Sequence, residues 1–306
     1  MAVGVSAFDA WRANGRHFKH RDHDIFWQRG GSLGGRGSLL CIHGFPTASW
    51  DWHKVWPRLN AEFERVLAPD MIGYGWSAKP RGYAYSVFDQ ADLHEGLLRE
   101  QGITRFHILA HDYGDTVAQE LLARHAERQA HGDLGLVIES VCFLNGGLFP
   151  ETHRPRPIQK LLLSPFGVLM SRFSNASGFN HSLAAVFGPH TKPSAEELQQ
   201  FWRLLSFNDG NRLMHRLIRY IPERRANRTR WVGALRTATI PMRLINGPLD
   251  PVSGAHMVAR YRSLVPDADI VSLNGIGHYP QVEDAEGVNR AYFEFLHAQR
   301  RAVAPG

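Results

Sequence analysis

Cysteine is scarce in this chain of 306 residues, which contains only Cys41 and Cys142. Both lie in apolar stretches typical of buried strands, so a disulfide framework is excluded and two inert buried thiols are expected.

Long apolar runs are also missing from the sequence. The most apolar stretches, around residues 134–149 and 161–170, are shorter than the roughly 20 uncharged residues that a membrane span requires. We therefore expect no transmembrane segment.

The first twenty residues lack the order of a secretory signal, which has a charged start, an apolar middle and a small-residue end. We therefore expect a cytoplasmic protein.

The composition shows no extreme values, since 43% of the residues are hydrophobic and 21% are charged. These values are typical of a globular protein and exclude disordered, collagen-like and low-complexity chains.

The charge of the chain is unevenly distributed. The whole sequence carries +6, but residues 151–235 contain 13 basic and five acidic side chains, so this stretch carries +8 and the remainder −2. A basic chain can bind nucleic acid, yet no nucleic-acid-binding motif accompanies the charge. We expect no nucleic-acid partner and interpret the basic stretch as an arginine-rich, solvated surface. The sequence leaves open whether the chain is a monomer or a homodimer.

Strand-like and helical patterns alternate along most of the chain. Short apolar runs predict strands over residues 16–20, 24–28, 38–42, 65–68, 105–110, 136–144, 242–246 and 269–273. Helical patterns over residues 87–101, 113–129, 255–265 and 283–298 fall between them. The first two strands are too close for a crossover helix and should form an antiparallel hairpin. The sequence predicts an α/β fold with a mostly parallel, eight-stranded sheet flanked by helices.

Residues 148–235 break this alternation because they are rich in Pro and Phe and lack strand patterns. They contain helical stretches at residues 194–207 and 212–221. We therefore predict a core domain built from residues 1–147 and 236–306, with a helical cap domain, residues 148–235, inserted after the sixth strand.

The most informative motif follows the predicted strand 105–110. Small residues, Ala110 and Gly114, flank Asp112, and an amphipathic helix begins next. This strand–turn–helix context is typical of a nucleophile elbow, in which small neighbours relieve crowding around a strained residue. A carboxylate is already ionised at neutral pH, so Asp112 could displace a leaving group from saturated carbon and form an alkyl ester.

Cleavage of such an ester requires a histidine base and a group that orients it. Asp250 and His278 each follow a predicted strand, in the chain order nucleophile, acid, histidine. We expect His278 to activate water and Asp250 to orient its imidazole. The backbone N–H groups of Phe45 and Tyr113 are expected to form the oxyanion hole. No metal or cofactor is needed for this chemistry.

Several motifs together resemble the α/β-hydrolases of the epoxide hydrolase and haloalkane dehalogenase group. These motifs lie at residues 43–46, 70–77, 111–114, 247–250 and 277–278. Within that group, longer runs are similar to the mesoderm-specific transcript family, at residues 111–122, 145–155, 229–235 and 247–252. The resemblance implies the α/β-hydrolase fold and a reaction through a covalent ester on the elbow carboxylate.

Two reactions of that group remain as alternatives. Haloalkane dehalogenases usually hold the leaving halide with a Trp after the nucleophile and often an Asn in the turn after the third strand. This sequence has Tyr113 and Phe45 at these two positions. It therefore lacks the side-chain N–H groups that typically hold the halide, which argues against dehalogenation of haloalkanes or haloacids. We therefore favour hydrolysis of a small apolar epoxide to a vicinal diol, with water as the second substrate.

The leaving oxygen of an epoxide needs a proton donor, which the resemblance places on the cap. His215 stands where a tyrosine is expected and is our first candidate, followed by His190 and Tyr220, with His153 as a further possibility. An imidazole can donate a proton as a phenol does.

Asp115 is unusual, because the family commonly has Gly or Ala at that position. We favour a structural role for this side chain over a shift in the ionisation of the site.

Overall fold

The computed structural model describes residues 5–303 and contains one eight-stranded sheet. Its strands are β1 (Arg16–His20), β2 (His23–Gly30), β3 (Ser38–Ile42), β4 (Arg65–Pro69), β5 (Arg105–His111), β6 (Val137–Leu144), β7 (Met242–Asn246) and β8 (Asp269–Ser272). Their order across the sheet is β1-β2-β4-β3-β5-β6-β7-β8. The pairs β1/β2 and β2/β4 are antiparallel and the remaining pairs are parallel. The predicted fold class, including the hairpin, is confirmed.

The central strands are buried on both faces, which explains their uninterrupted apolar sequences. Along β3, Leu40 and Ile42 belong to the core on one side of the sheet, whereas Leu39 and Cys41 belong to the core on the other. Both cysteines are free and buried, as the composition predicts.

Seven helices accompany the sheet within the described residues. They are α1 (Ala7–Asn14), α2 (Trp56–Glu62), α3 (Val87–Glu100), α4 (Tyr113–Ala130), α12 (Ala255–Leu264), α13 (Pro280–Glu283) and α14 (Ala285–Val303). A 3-10 helix at Ser49–Trp52 precedes α2. No helix in this part of the chain is long and apolar enough to cross a bilayer.

The segment between β6 and β7 is helical throughout. Its helices are α5 (Pro157–Leu163), α6 (Gly167–Arg172), α7 (Ala176–Ala184), α8 (Ala195–Ser206), α9 (Met214–Leu217), α10 (Tyr220–Ala226) and α11 (Arg228–Thr237), with 3-10 turns at Pro150–Thr152 and Phe207–Leu213. These helices lie where the cap is predicted, and the name cap is kept for residues 148–235.

One helix prediction in the cap is wrong. The stretch 212–221, predicted as a single helix, is divided between the end of a 3-10 turn, α9 and the start of α10. Pro222 lacks a backbone N–H and cannot continue the hydrogen-bonding pattern of α9. The break places His215 on α9 and Tyr220 at the start of α10, so the two side chains do not belong to one continuous helix.

Side chains of α11 tie the cap to the core. Arg230 forms salt bridges with Glu120 and Glu127 of α4, and Trp231 Nε1 donates a hydrogen bond to Glu120 at 2.8 Å. The Trp231 ring is buried. This side of the cap is therefore fixed to the helix that starts at the nucleophile elbow.

Candidate active site

The turn between β5 and α4 holds Asp112 in a left-handed backbone conformation, with φ +48° and ψ −105°. Such a conformation is strained for a residue other than glycine and persists only where the surroundings impose it. Gly114 is required beside it, because a Cβ at this position would lie 2.3 Å from the carbonyl oxygen of Ile42. The side chain of Asp112 is thereby presented at the carboxyl edge of the sheet.

Each oxygen of the Asp112 carboxylate faces a different group. Oδ2 accepts a hydrogen bond from the backbone N–H of Phe45 at 3.1 Å. Oδ1 lies 3.9 Å from Nε2 of His278. Tyr113 is the first residue of α4, so its N–H has no acceptor within the helix. It also lies at the amino end of α4, where the helix dipole is positive. Two N–H groups are thus available where negative charge would develop.

His278 is held by a buried acid. Its Nδ1 lies 2.7 Å from Oδ2 of Asp250, and because a carboxylate only accepts, Nδ1 must donate. Asp250 also accepts hydrogen bonds from Ser253 Oγ at 2.7 Å and from Asn145 Nδ2 at 3.0 Å. The structure therefore brings Asp112, Asp250 and His278 together, as the sequence predicts.

Opposing effects set the ionisation of these three side chains. Burial acts to raise the pKa of Asp112, but the nearby His278 outweighs it, with smaller contributions from the charges of His111 and Arg224, and the pKa is lowered to about 2. Burial acts to lower the pKa of His278, yet the charges of Asp250 and Asp112 raise it well above its ordinary value. The pKa of Asp250 is lowered, since the charge and hydrogen bond of His278 outweigh burial. The site therefore contains an imidazolium between two carboxylates.

Asn145 is a site residue that the sequence did not reveal. It follows β6 directly and has φ +42°, a conformation that Asn adopts more readily than most residues. Its Oδ1 accepts from the N–H of Gly247 at 2.7 Å, which fixes the amide so that Nδ2 points at Asp250. The only signal in the sequence is its place at a strand end beside the predicted acid.

The cap places the three candidate proton donors differently. Tyr220 is buried, and its ring centroid lies 4.4 Å from that of Tyr113 and 5.9 Å from that of Phe45. Burial and the charge of Asp112 raise the pKa of Tyr220, so its hydroxyl stays protonated. Tyr220 therefore lies over Phe45 and Tyr113, the two residues that the sequence predicts for the oxyanion hole.

The other candidates do not reach the site. His215 is turned toward α6, where its Nδ1 lies 3.1 Å from Ser171 Oγ. His190 is exposed on the loop after α7. His153 is partly buried, and both of its ring nitrogens lack a hydrogen-bond partner in the described part of the chain. Neither His153 nor Tyr220 lines the cavity, but Tyr220 packs against Phe45 and Tyr113. Our first choice of donor, His215, therefore requires correction, because its ring is held against Ser171 of α6.

Arg224 is a second residue that sequence reasoning missed. It is 2% exposed, its Nε and Nη2 both donate to Thr116 Oγ1, and its guanidinium carbon lies 5.0 Å from the centroid of the Tyr220 ring. None of the described carboxylates lies within ion-pair distance of it. A buried cation thus adjoins the cap tyrosine.

A cavity of about 310 Å³ opens above Asp112 and His278. Its floor includes Phe45, Val252 and Tyr279, and the cap contributes apolar side chains, among them Ile158, Leu162, Met170, Phe179, Leu183 and Val186. Such a lining suits an apolar ligand whose reacting atoms meet a few polar groups. Within residues 5–303, no cluster of three or more His, Cys, Asp or Glu side chains could hold a metal ion.

Asp115 lies one helical turn beyond the nucleophile and is completely buried. Burial and the nearby charge of Asp112 raise its pKa well above the ordinary value, which favours the uncharged carboxyl. It packs against Gly146, where an added Cβ would lie 2.0 Å from Asp115 Oδ2. The side chain fills space behind the elbow and does not line the cavity.

Comparisons with known proteins show the family to which the chain belongs. Residues 37–285 match the profile of the alpha/beta hydrolase fold family. The chain is 43% identical over 302 residues to the human mesoderm-specific transcript homolog protein, covering 95% of this chain and 88% of that protein. It is 26% identical over 269 residues to a haloalkane dehalogenase of Mesorhizobium japonicum, covering 85% and 84% of the two chains.

A crystal structure of a haloalkane dehalogenase from Bradyrhizobium elkani USDA94 has a similar fold, with a TM-score of 0.77 at 22% identity. The alignment covers 94% of this chain and 99% of that one. The resemblance predicted from the sequence motifs is confirmed.

Proposed function

This chain belongs to the α/β-hydrolase fold family, and from that premise we propose that it is an epoxide hydrolase, which converts an epoxide to a vicinal diol. The observation that carries the proposal is the environment of Asp112. One carboxylate oxygen faces the N–H of Phe45, the other faces His278, and Tyr220 packs over both Phe45 and Tyr113. A nucleophile, a base and a protonated phenol thus lie in the same region of the site.

The first step opens the oxirane ring. An ionised oxygen of Asp112 attacks a ring carbon, the bond from that carbon to the ring oxygen breaks, and an alkyl ester forms. The released alkoxide takes the proton of the Tyr220 hydroxyl and becomes the first hydroxyl of the diol. The low pKa of Asp112, about 2, keeps the nucleophile ionised throughout the physiological range.

Arg224 favours this proton transfer. When Tyr220 gives up its proton, the ring carries a negative charge in a buried site, where an isolated charge is costly. The guanidinium 5.0 Å from the ring centroid offsets that cost, because opposite charges attract strongly when water is excluded. Its two hydrogen bonds to Thr116 hold it in place.

The second step hydrolyses the ester. Ester formation removes the charge of Asp112, so the pKa of His278 falls and the imidazolium gives its proton to solvent. The neutral imidazole can then take a proton from water, and it regains the solvent proton when Asp112 ionises again after turnover. Hydroxide adds to the ester carbonyl, and the N–H groups of Phe45 and Tyr113 stabilise the oxyanion. Collapse expels the second alkoxide, which takes the proton from His278. The proton left on the Asp112 carboxylic acid returns to Tyr220 through solvent.

The apolar lining of the cavity favours small apolar epoxides as substrates. Dehalogenation is the alternative for the same three residues. It is less favoured because neither Phe45 nor Tyr113 has a side-chain N–H to hold a departing halide.

A single turnover in heavy-oxygen water tests the proposal. With enzyme in excess over an aryl epoxide, one heavy oxygen should enter the peptide that contains Asp112, and the first diol should be unlabelled. Asp112→Ala should lose activity. Full activity of that variant, or label in the diol at the first turnover, contradicts the mechanism. Halide release from a brominated analogue, without diol formation from the epoxide, assigns the chain to dehalogenation instead.

A further inference from the structure

An exposed apolar surface lies on the cap beside the cavity. Among the described residues, eight large hydrophobic side chains are exposed, and four of them are within residues 166–173. These are Phe166, Val168, Leu169 and Phe173, with exposed fractions of 66%, 60%, 54% and 68%. We call this cluster the α6 patch. Apolar groups of this density on a surface mark an interaction site.

The α6 patch adjoins the entrance of the cavity. Phe173 is one of its members and also lines the cavity, as do Leu162 of α5 and Met170 of α6. A residue that is two-thirds exposed and also lines a cavity lies where that cavity reaches the surface. A surface that covers the patch would therefore face the path of the substrate.

The unpaired charge around the patch has one sign. Asp209, on the 3-10 turn that packs against α6, is paired with Arg81 and Arg212. Residues 152–195 contain no Asp or Glu. Helices α5, α6 and α9 pack against one another and carry Lys160, Arg172 and Arg216, all exposed and without a salt bridge among the described residues. By contrast, Arg228 and Arg230 of α11 are paired with carboxylates. Three unpaired basic side chains therefore lie on the helices that carry or support the patch.

His215 helps to hold this surface together. Its backbone N–H and its Nδ1 both lie 3.1 Å from Ser171 Oγ, which joins α9 to α6. The unpaired Arg216 is thereby kept beside the apolar side chains of α6.

We propose that the α6 patch docks on an anionic lipid membrane, so that an apolar substrate enters the cavity beside Phe173 directly from the bilayer. Exposed Phe and Leu side chains enter the boundary between headgroups and acyl chains, and Lys and Arg side chains around them attract anionic headgroups. A self-associating or protein-binding surface would not need three unpaired cations. This inference concerns access to the cavity and does not depend on the epoxide chemistry.

Co-sedimentation of the full chain with vesicles tests the docking. The wild-type protein should sediment with vesicles of phosphatidylcholine containing phosphatidylglycerol, and binding should weaken as salt is raised. Phe166→Ser with Leu169→Ser should weaken partitioning by at least about tenfold. Lys160→Glu with Arg172→Glu should weaken it by about fivefold or more for each charge.

Matched controls lie on the loop between β2 and β3, at the opposite edge of the sheet. Leu33 is fully exposed and Arg36 is exposed without a salt bridge among the described residues. Leu33→Ser and Arg36→Glu should leave partitioning unchanged. All patch variants should retain wild-type kcat on a water-soluble substrate, because Phe166, Leu169, Lys160 and Arg172 do not line the cavity.

Three results overturn the proposal. The first is wild-type protein that stays in the supernatant with anionic vesicles at low salt. The second is binding that the control variants weaken as much as the patch variants do. The third is a dimer in sedimentation velocity that Phe166→Ser with Leu169→Ser dissociates, since the patch would then be covered by a second copy of the chain.

Discussion

The guanidinium of Arg224 lies over the ring of Tyr220, 5.0 Å from its centroid, in a site that excludes water. If this cation stabilises the phenolate formed on ring opening, Arg224→Met should slow ester formation by about 10-fold to 100-fold. Arg224→Lys should retain more activity because it keeps the charge. Single-turnover kinetics measure the step.

A double-mutant cycle separates this role from a structural one. In the Tyr220→Phe background, where no phenolate forms, Arg224→Met should slow ester formation much less than it does in the wild type. Arg225→Met is the matched control, since Arg225 is the exposed neighbour. Equal slowing in both backgrounds would contradict the role given to Arg224.

Replacement of the base should trap the covalent ester. His278→Gln keeps the shape of the site, yet it cannot take a proton from water. After mixing with an epoxide, the protein mass should increase by the mass of the substrate and remain there, with diol formation at least about 10³-fold slower. Intact-protein mass spectrometry measures the adduct. An adduct that also forms in His278→Gln with Asp112→Ala would show that another residue is alkylated.

Removal of the Asn145 amide should affect ester hydrolysis more than ring opening. Asn145 Nδ2 orients Asp250, which in turn orients His278. Loss of such a supporting hydrogen bond typically costs about 10-fold to 100-fold in activity. Asn145→Ala should therefore accumulate ester in the steady state, and rapid-quench mass spectrometry can detect it. Equal slowing of both steps would indicate general distortion of the site.

The two half-reactions should differ in their dependence on pH. His278 in the free enzyme has a raised pKa because two carboxylates face it, and the ester leaves only Asp250 charged. The rate of ester decay should therefore rise with pH and level off, with a midpoint below the pKa of His278 in the free enzyme. NMR titration gives the free-enzyme value, and single turnovers at varied pH give the midpoint. A midpoint at or above the free-enzyme value would be inconsistent with this coupling.

Asp115→Asn should stabilise the fold at neutral pH. The folded protein keeps Asp115 protonated, whereas the unfolded chain loses this proton above its ordinary pKa of about 4. The free energy of unfolding of the wild type therefore falls as pH rises through this range, by about 1.4 kcal/mol for each unit of upward pKa shift. Asn at this position does not ionise, so the variant does not lose stability in this way. The difference in free energy of unfolding between the variant and the wild type should therefore vanish below about pH 4. Urea unfolding of the variant and of the wild type at pH 3.5 and pH 7 measures this difference.

Diol formation by Asp115→Asn should remain near the wild-type rate, because Asp115 does not line the cavity. Loss of activity in this variant would assign the side chain to the catalytic step.

The sheet and the triad were predictable because their signals are local. Each buried parallel strand is a short apolar run, and Asp112, Asp250 and His278 directly follow such runs. The parallel topology then brings these strand ends to one edge, so order along the chain is sufficient to predict proximity.

The cap donors and supporting residues were not predictable in the same way. Tyr220 and His215 are five residues apart, and the choice between them depends on the helix break at Pro222 and on packing against Ser171. Arg224 contacts Thr116 across 108 positions of sequence, and Asn145 contacts Asp250 across 105. Such pairs leave no local pattern, because tertiary packing alone brings them together.

The cap leaves the sheet after β6 and returns at β7, which is the neighbouring strand, with Leu144 paired to Ile245. Its two attachment points are therefore side by side, and changes in its length or sequence need not move any strand. Natural selection can therefore change the substrates that bind under the cap while the reacting groups at the sheet edge stay in place. One inherited core could in this way serve a succession of substrates.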